Sequence, residues 1–163
     1  MNAFVIILTI LINLILESTI IPSFWIFEVS PSTGLIIVVV LAILNGKTTG
    51  AIVGLIVGLL QDLLFSPVIG INSFIYFFIG YLVGLAETKL SKDNILLPIL
   101  MTILSTFGYH LTYYLFMYFL NYNVHLIKFF KEVVLMEILY NSILSIRVFK
   151  LLSKLFVAPT IRF

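Results

Sequence analysis

Six apolar stretches, at about 3–21, 32–45, 48–65, 71–86, 95–120 and 132–152, take up most of this chain, and only short polar links separate them. Nothing else in the sequence constrains the fold as strongly. A helix needs roughly 20 apolar residues to cross the hydrocarbon core of a bilayer. Lipid offers the backbone no hydrogen-bond partner, so each stretch is read as a helix that closes its own bonds. The stretches predict an all-α polytopic membrane protein, with about six transmembrane helices in one bundle. No linker is long enough to divide the chain, so 1–163 is read as a single integral membrane domain.

Composition agrees. The 163 residues are 62% hydrophobic and 10% charged, with a mean hydropathy of +1.24. Soluble domains carry about 25% charged residues, and so few charges cannot clothe a surface facing water. No window has the basic density or aromatic interleaving of a nucleic-acid surface. There are no cysteines, hence no disulfide and no thiolate metal site. The first stretch is expected to be a mature helix and not a cleaved signal, because Met1-Asn2 lacks lysine and arginine and no small-residue cleavage site follows.

The links set the topology. Pro22–Pro31, with Trp25, Phe24 and Phe27, reads as an interfacial loop or a short helix lying along the membrane. The second stretch is short and is expected to lean on its neighbours. Ser66-Pro67-Val68-Ile69-Gly70 reads as a tight turn. With six spans, Lys47, Lys89, Lys92, Arg147, Lys150, Lys154 and Arg162 fall on one side and only Lys128 and Lys131 on the other, seven against two. The lysine and arginine bias puts both termini in the cytoplasm. Arg147, Lys150 and Lys154 recur at helical spacing among apolar residues, as a basic anchor at anionic headgroups or a docking surface for a cytoplasmic partner.

Within the third stretch, glycine returns every fourth residue at Gly46, Gly50, Gly54 and Gly58, and the next step of four lands on Asp62. Steps of four advance about 40° round a helix, so the glycines form a shallow groove. In lipid, helices associate largely by close backbone approach at small residues. The row is therefore expected to be a packing seam, and Gly80 and Gly84 form a matching pair on the fourth stretch. Packing against another protein is the alternative.

Asp62 lies about one turn from the outer end of its helix. An acid there either fixes the loop, accepting hydrogen bonds from 66–70 or from Asn72 and Ser73, or serves as a ligand, partner or proton site. Other polar residues gather toward the same outer half. Glu17 lies near the end of the first stretch, and Glu137, Asn141 and Ser145 follow at steps of four on the sixth. Thr102, Ser105, Thr106, Tyr109, His110 and Tyr113 share a face of the fifth. The bland expectation for His110 is a helix–helix hydrogen bond. Together, Glu17, Asp62, Asn72, His110, Glu137 and Asn141 are a candidate outward-facing polar pocket.

Enzyme chemistry finds no constellation. His110 and His125 lack metal-ligand spacing, and there is no nucleophile elbow. Gly46-Lys47-Thr48 imitates the end of a phosphate-binding loop, but Leu41 stands where the opening glycine is needed. No cofactor is implied.

The ordered set Gly50-x-x-x-Gly54-x-x-x-Gly58-Leu59-Leu60-Gln61-Asp62, Pro67, Gly70-Ile71-Asn72 and Gly80-Tyr81-Leu82-Val83-Gly84 resembles the rod shape-determining MreD family. The specific part covers about 46–84. The resemblance implies a non-enzymatic subunit of the bacterial cell-elongation machinery in the inner membrane. It implies a bitopic partner, MreC, and a complex with the actin-like MreB, the glycosyltransferase RodA and a class B penicillin-binding protein in lateral peptidoglycan synthesis. It also implies a fold similar to the six-helix substrate-binding components of energy-coupling-factor vitamin transporters, which bind ligand in their outer half. A small-molecule-binding transporter component is accordingly the alternative function.

Overall fold

A computed structural model describes residues 3–19, 31–86, 96–121 and 133–156. Within them lie six helices: α1 (Ala3–Thr19), α2 (Thr33–Asn45), α3 (Lys47–Phe65), α4 (Ile71–Ala86), α5 (Leu96–Phe119) and α6 (Leu135–Phe156). The interfacial loop expected at 22–31, apart from Pro31, lies outside the described residues, as do the link 87–94, the loop 122–131 and the tail 157–163. Lys89, Lys92, Lys128, Lys131 and Arg162 lie outside them too, so the charge bias remains a property of the sequence.

The bundle is built round α2, which touches each of the other five helices. From Leu35 to Leu44 no residue is more than 8% exposed. A helix that is apolar on every side belongs in an interior, and the run Leu35-Ile36-Ile37-Val38-Val39-Val40-Leu41 has no polar face to offer. Its 13 residues would be short for a helix facing lipid. Protein surrounds it instead, so its length is matched to its neighbours and not to the bilayer.

The connection from α2 to α3 is a single residue, Gly46, at φ 85 and ψ −179. That backbone state belongs almost entirely to glycine. Gly46 N–H donates to the Ala42 carbonyl at 2.9 Å, closing the end of α2. The first glycine of the row is thus a turn between two helices, and its backbone also takes part in the seam, where a Cβ on Gly84 would lie 2.7 Å from its carbonyl carbon.

The remaining glycines bring α3 and α4 together. A Cβ on Gly50 would strike the Gly80 carbonyl oxygen, and one on Gly54 would strike the Tyr76 carbonyl oxygen. One on Gly58 would sit 2.6 Å from the Asn72 oxygen and the Ser73 Cα. From the other side, a Cβ on Gly80 meets the Gly50 oxygen, and one on Gly84 meets the Lys47 backbone. Each step of four along α3 thus meets a step of four along α4 running the opposite way. The two backbones are in contact with no side chain between them. A Cβ on Gly50 would also lie 2.6 Å from the Ala42 Cβ of α2, so the seam packs onto the central helix.

The outer faces of the helices are apolar as well. Phe4, Leu63, Leu82, Leu104, Ile143 and Leu151 are each about 60% exposed or more, and comparable residues cover every helix around α2. Exposed apolar surface on that scale marks a membrane or protein interface. α3 and α5, of 19 and 24 residues, are long and apolar enough to cross a bilayer, and α1, α2 and α4 are shorter apolar helices. α6 has 22 residues and carries Glu137, Arg147, Lys150 and Lys154.

The seam predicts the cost of a methyl group. Gly54→Ala forces its Cβ onto backbone that no rotamer change can move, so the hairpin must open. The expected loss is about 1–3 kcal/mol, read as a lower melting temperature of the purified protein in detergent. Wild-type melting would contradict this packing.

Candidate functional site

Each helix begins with amide N–H groups that have no partner inside the helix. α2, α4 and α6 all begin at the same end of the bundle, and an acid lies at each beginning. The aligned peptide dipoles make such ends favourable for negative charge.

At α4 the acid is Asp62, carried by α3 one step of four beyond Gly58. The seam holds its helix against α4, so the carboxylate arrives beside the first turn. Its Oδ2 accepts from Gly70 N at 2.9 Å, Ser73 N at 2.9 Å and Ser73 Oγ at 2.6 Å. Its Oδ1 accepts from Asn72 N at 3.0 Å. Gly70 stands at φ 105, a conformation that admits glycine and turns its N–H toward the acid. Asp62 is 1% exposed. It caps α4 as an N-cap residue would, but from the preceding helix.

At α2 the acid is Glu17 from α1. Its Oε1 accepts from Gly34 N at 2.8 Å and Thr33 Oγ1 at 3.0 Å, and its Oε2 from Gln61 Nε2 at 2.6 Å. Gly34 leaves room for the acid: a Cβ there would lie 3.2 Å from both Glu17 Oε1 and Gln61 Nε2. The neighbouring Ser32 N donates to Asn141 Oδ1 of α6 at 3.0 Å, and Ser32 Oγ lies 3.1 Å from the Tyr76 hydroxyl of α4.

At α6 the acid is its own first-turn Glu137. Glu137 Oε2 is 2.7 Å from His110 Nε2 on α5, with both side chains under 9% exposed. Asn141 Nδ2 donates to Thr106 Oγ1 at 3.1 Å and more weakly to Glu137 Oε1 at 3.4 Å. Tyr109 OH donates to Asn72 Oδ1 at 2.8 Å, and the Tyr76 and Tyr109 rings lie 5.6 Å apart.

The residues singled out in the sequence therefore fall into three clusters. Glu17 holds α2; Asp62, Gly70 and Asn72 hold the α3–α4 turn; His110, Glu137 and Asn141 tie α5 to α6. Ser32, Tyr76 and Tyr109 join the clusters into one layer. Each carboxylate accepts from at least two groups of this chain. Thr102, Ser105, Thr106 and His110 are buried on α5, with Tyr109 and Tyr113 partly so. Ser145 is fully buried and donates to the Ser142 carbonyl at 2.8 Å.

Sequence reasoning overlooked Gln61, Ser32, Thr33 and Tyr76. Ser32-Thr33 ahead of an apolar run is a helix-start signal, and a helix start in lipid was a reason to look for an acid nearby. Tyr76 had no signal beyond a hydroxyl in an apolar stretch. At the opposite end of the bundle, Arg147, Lys150 and Lys154 are exposed along one stripe of α6, while Phe149 and Leu152 are buried behind them.

Apolar outside, apolar at its central helix and polar in a hydrogen-bonded layer between helices, the molecule is of the all-helical membrane class. A family model for the rod shape-determining protein MreD matches residues 1–155 of the 163-residue chain. The chain belongs to the MreD family, bacterial membrane proteins that determine rod shape without being enzymes. No curated protein and no solved structure matches it.

Asp62→Ala strands three backbone donors and a hydroxyl. Each unsatisfied buried group costs about 1–3 kcal/mol, so a loss of about 3 kcal/mol or more is expected in detergent unfolding. Asp62→Asn, which keeps one carbonyl acceptor, is expected to fall between alanine and the wild type. Equal stability of all three would show that the acid does not hold the turn.

Proposed function

We propose that this protein is the membrane-embedded organiser of a cell-elongation complex. It crosses the cytoplasmic membrane six times with both termini in the cytoplasm. There it binds MreC, and through that complex it helps position MreB, RodA and a class B penicillin-binding protein for lateral peptidoglycan synthesis. The observation that carries this reading is the family match over residues 1–155.

Further support comes from chemistry. The seven-to-two bias of lysine and arginine favours the stated orientation. The exposed stripe Arg147, Lys150 and Lys154 suits the anionic cytoplasmic leaflet. The apolar outer faces leave room for both lipid and partner helices. The bundle is read as sharing the fold of the substrate-binding components of vitamin transporters. The hydrogen bonds that Glu17, Asp62, Glu137 and Asn141 make within this chain favour a scaffold over a binder of a transported small molecule.

Depletion in a rod-shaped host is expected to round the cells, and MreC is expected to copurify with the tagged protein in mild detergent. Rods that persist on depletion would overturn the reading. So would a vitamin requirement with no change of shape.

A further inference from the structure

The exposed apolar residues of α6 recur every fourth position. Leu135, Leu139, Ile143, Leu151 and Leu155 are each 58–66% exposed. The one step of that row which is not apolar, between Ile143 and Leu151, is the exposed Arg147. Lys150 and Lys154 follow it at steps of three and four and are exposed as well.

The height of Arg147 in the bundle follows from the packing of α6 on α2. Asn141 Oδ1 accepts from Ser32 N, so Asn141 is level with the start of α2. The 13 residues of α2 rise about 20 Å, and the step from Asn141 to Arg147 rises about 9 Å. Arg147 is therefore level with the middle of the central helix, and Lys154 with its end at Asn45. α6 does not leave the bundle there, because Phe149 and Leu152, beyond Arg147, belong to the hydrophobic core. A basic anchor needs cations only at the membrane edge. Here the charge climbs about 10 Å from that edge into the height of the bundle.

Among the described residues, none forms an ion pair or hydrogen bond with the side-chain charges of Arg147, Lys150 and Lys154. Glu17, Asp62 and Glu137 are engaged at the other end of the bundle. An arginine facing hydrocarbon is costly, and snorkelling, local thinning of the bilayer or a pairing partner relieves that cost. Snorkelling helps little here, since helical side chains lean toward the helix N-terminus, which for α6 is the end away from Lys154.

We propose that α6 carries a site for one anionic phospholipid of the cytoplasmic leaflet, with its phosphate drawn inward onto Arg147 and Lys150. Its acyl chains lie along Ile143 and Leu139. The planar guanidinium matches a phosphate at two points, and Lys150, one turn on, reaches the same group. A carboxylate on another membrane helix would itself have to sit within the apolar row. A phospholipid brings the phosphate and the apolar chains in one molecule, which is the pattern that the exposed side of α6 presents. The proposal rests on the six-span orientation favoured by the lysine and arginine bias, and it assigns that orientation a lipid.

The test offers the purified full chain equal amounts of phosphatidylglycerol and phosphatidylcholine in mild detergent, and native mass spectrometry reads the lipid retained. The wild type is expected to keep one phosphatidylglycerol in preference to phosphatidylcholine. Arg147→Gln is expected to lower that retention about tenfold, as the loss of a charged hydrogen-bonded pair does. Arg147→Lys is expected to fall between the two. Lys47→Gln removes the same charge at the start of α3, and is expected to change retention by no more than about twofold. Equal retention of both lipids by the wild type would overturn the site. So would an equal loss from Lys47→Gln and Arg147→Gln, which is general attraction to the leaflet. Should Arg147→Gln melt lower in phosphatidylcholine alone, Arg147→Lys decides by the same comparison. The orientation is read separately, since the chain has no cysteine and Lys154→Cys can be labelled without background. A membrane-impermeant maleimide is expected to label it only in lysed spheroplasts. Labelling of intact spheroplasts would overturn the orientation, whereas a failure of lipid retention alone leaves the orientation standing.

Discussion

A helix that starts at the edge of a bilayer exposes amide N–H groups to a medium with little or nothing to accept them. At the starts of α2 and α4 the bundle meets this constraint with acids supplied from other helices. Asp62 on α3 accepts from Gly70, Asn72 and Ser73, and Glu17 on α1 accepts from Gly34 and Thr33. Glu137, in the first turn of α6, meets His110 of α5. Three hairpins therefore close at one end on three carboxylates. The position of α2 depends on two of its neighbours at once, since Asn141 of α6 takes the Ser32 N–H beside Glu17.

The glycine seam and the acid are parts of one device. An aspartate in lipid costs about 2.5–3.5 kcal/mol at the helix centre. Hydrogen bonds to a charged group return about 1.5–3 kcal/mol each, and Asp62 has four. The balance favours burial only if the donors sit within reach. Gly50, Gly54 and Gly58 bring the α4 backbone that close. A side chain in the seam would hold α4 away and leave the acid without partners.

Much of this was legible because lipid simplifies the code. Apolar runs marked the helices, and a period of four marked a face. The row also pointed to its own end, since Asp62 sits on that face. What the residues could not give was the partner of each face. Nothing in the run 35–44 says that it is central, although being apolar on all sides was a hint. Glu17 meets Gln61 across 44 positions and Asn141 meets Ser32 across 109, and such pairings exist only once the helices are arranged. Gly46 does more than its spacing announced: its φ of 85 makes it the turn between α2 and α3, while its backbone also meets Gly84 in the seam.

The same geometry bears on function in the MreD family. A bundle whose Glu17, Asp62 and Glu137 carboxylates are used internally presents apolar faces to its surroundings, the surface that lipid and partner helices meet. The most direct measurement is amide hydrogen exchange of the purified protein, with no partner or ligand added, in wild type and Asp62→Ala. The account predicts slow exchange at Gly70, Asn72 and Ser73 in the wild type and fast exchange at those three amides in the variant, with the Ala86 end of α4 unchanged. Fast exchange there in the wild type, slowed only by adding a partner or ligand, would mean that Asp62 waits for something outside the chain.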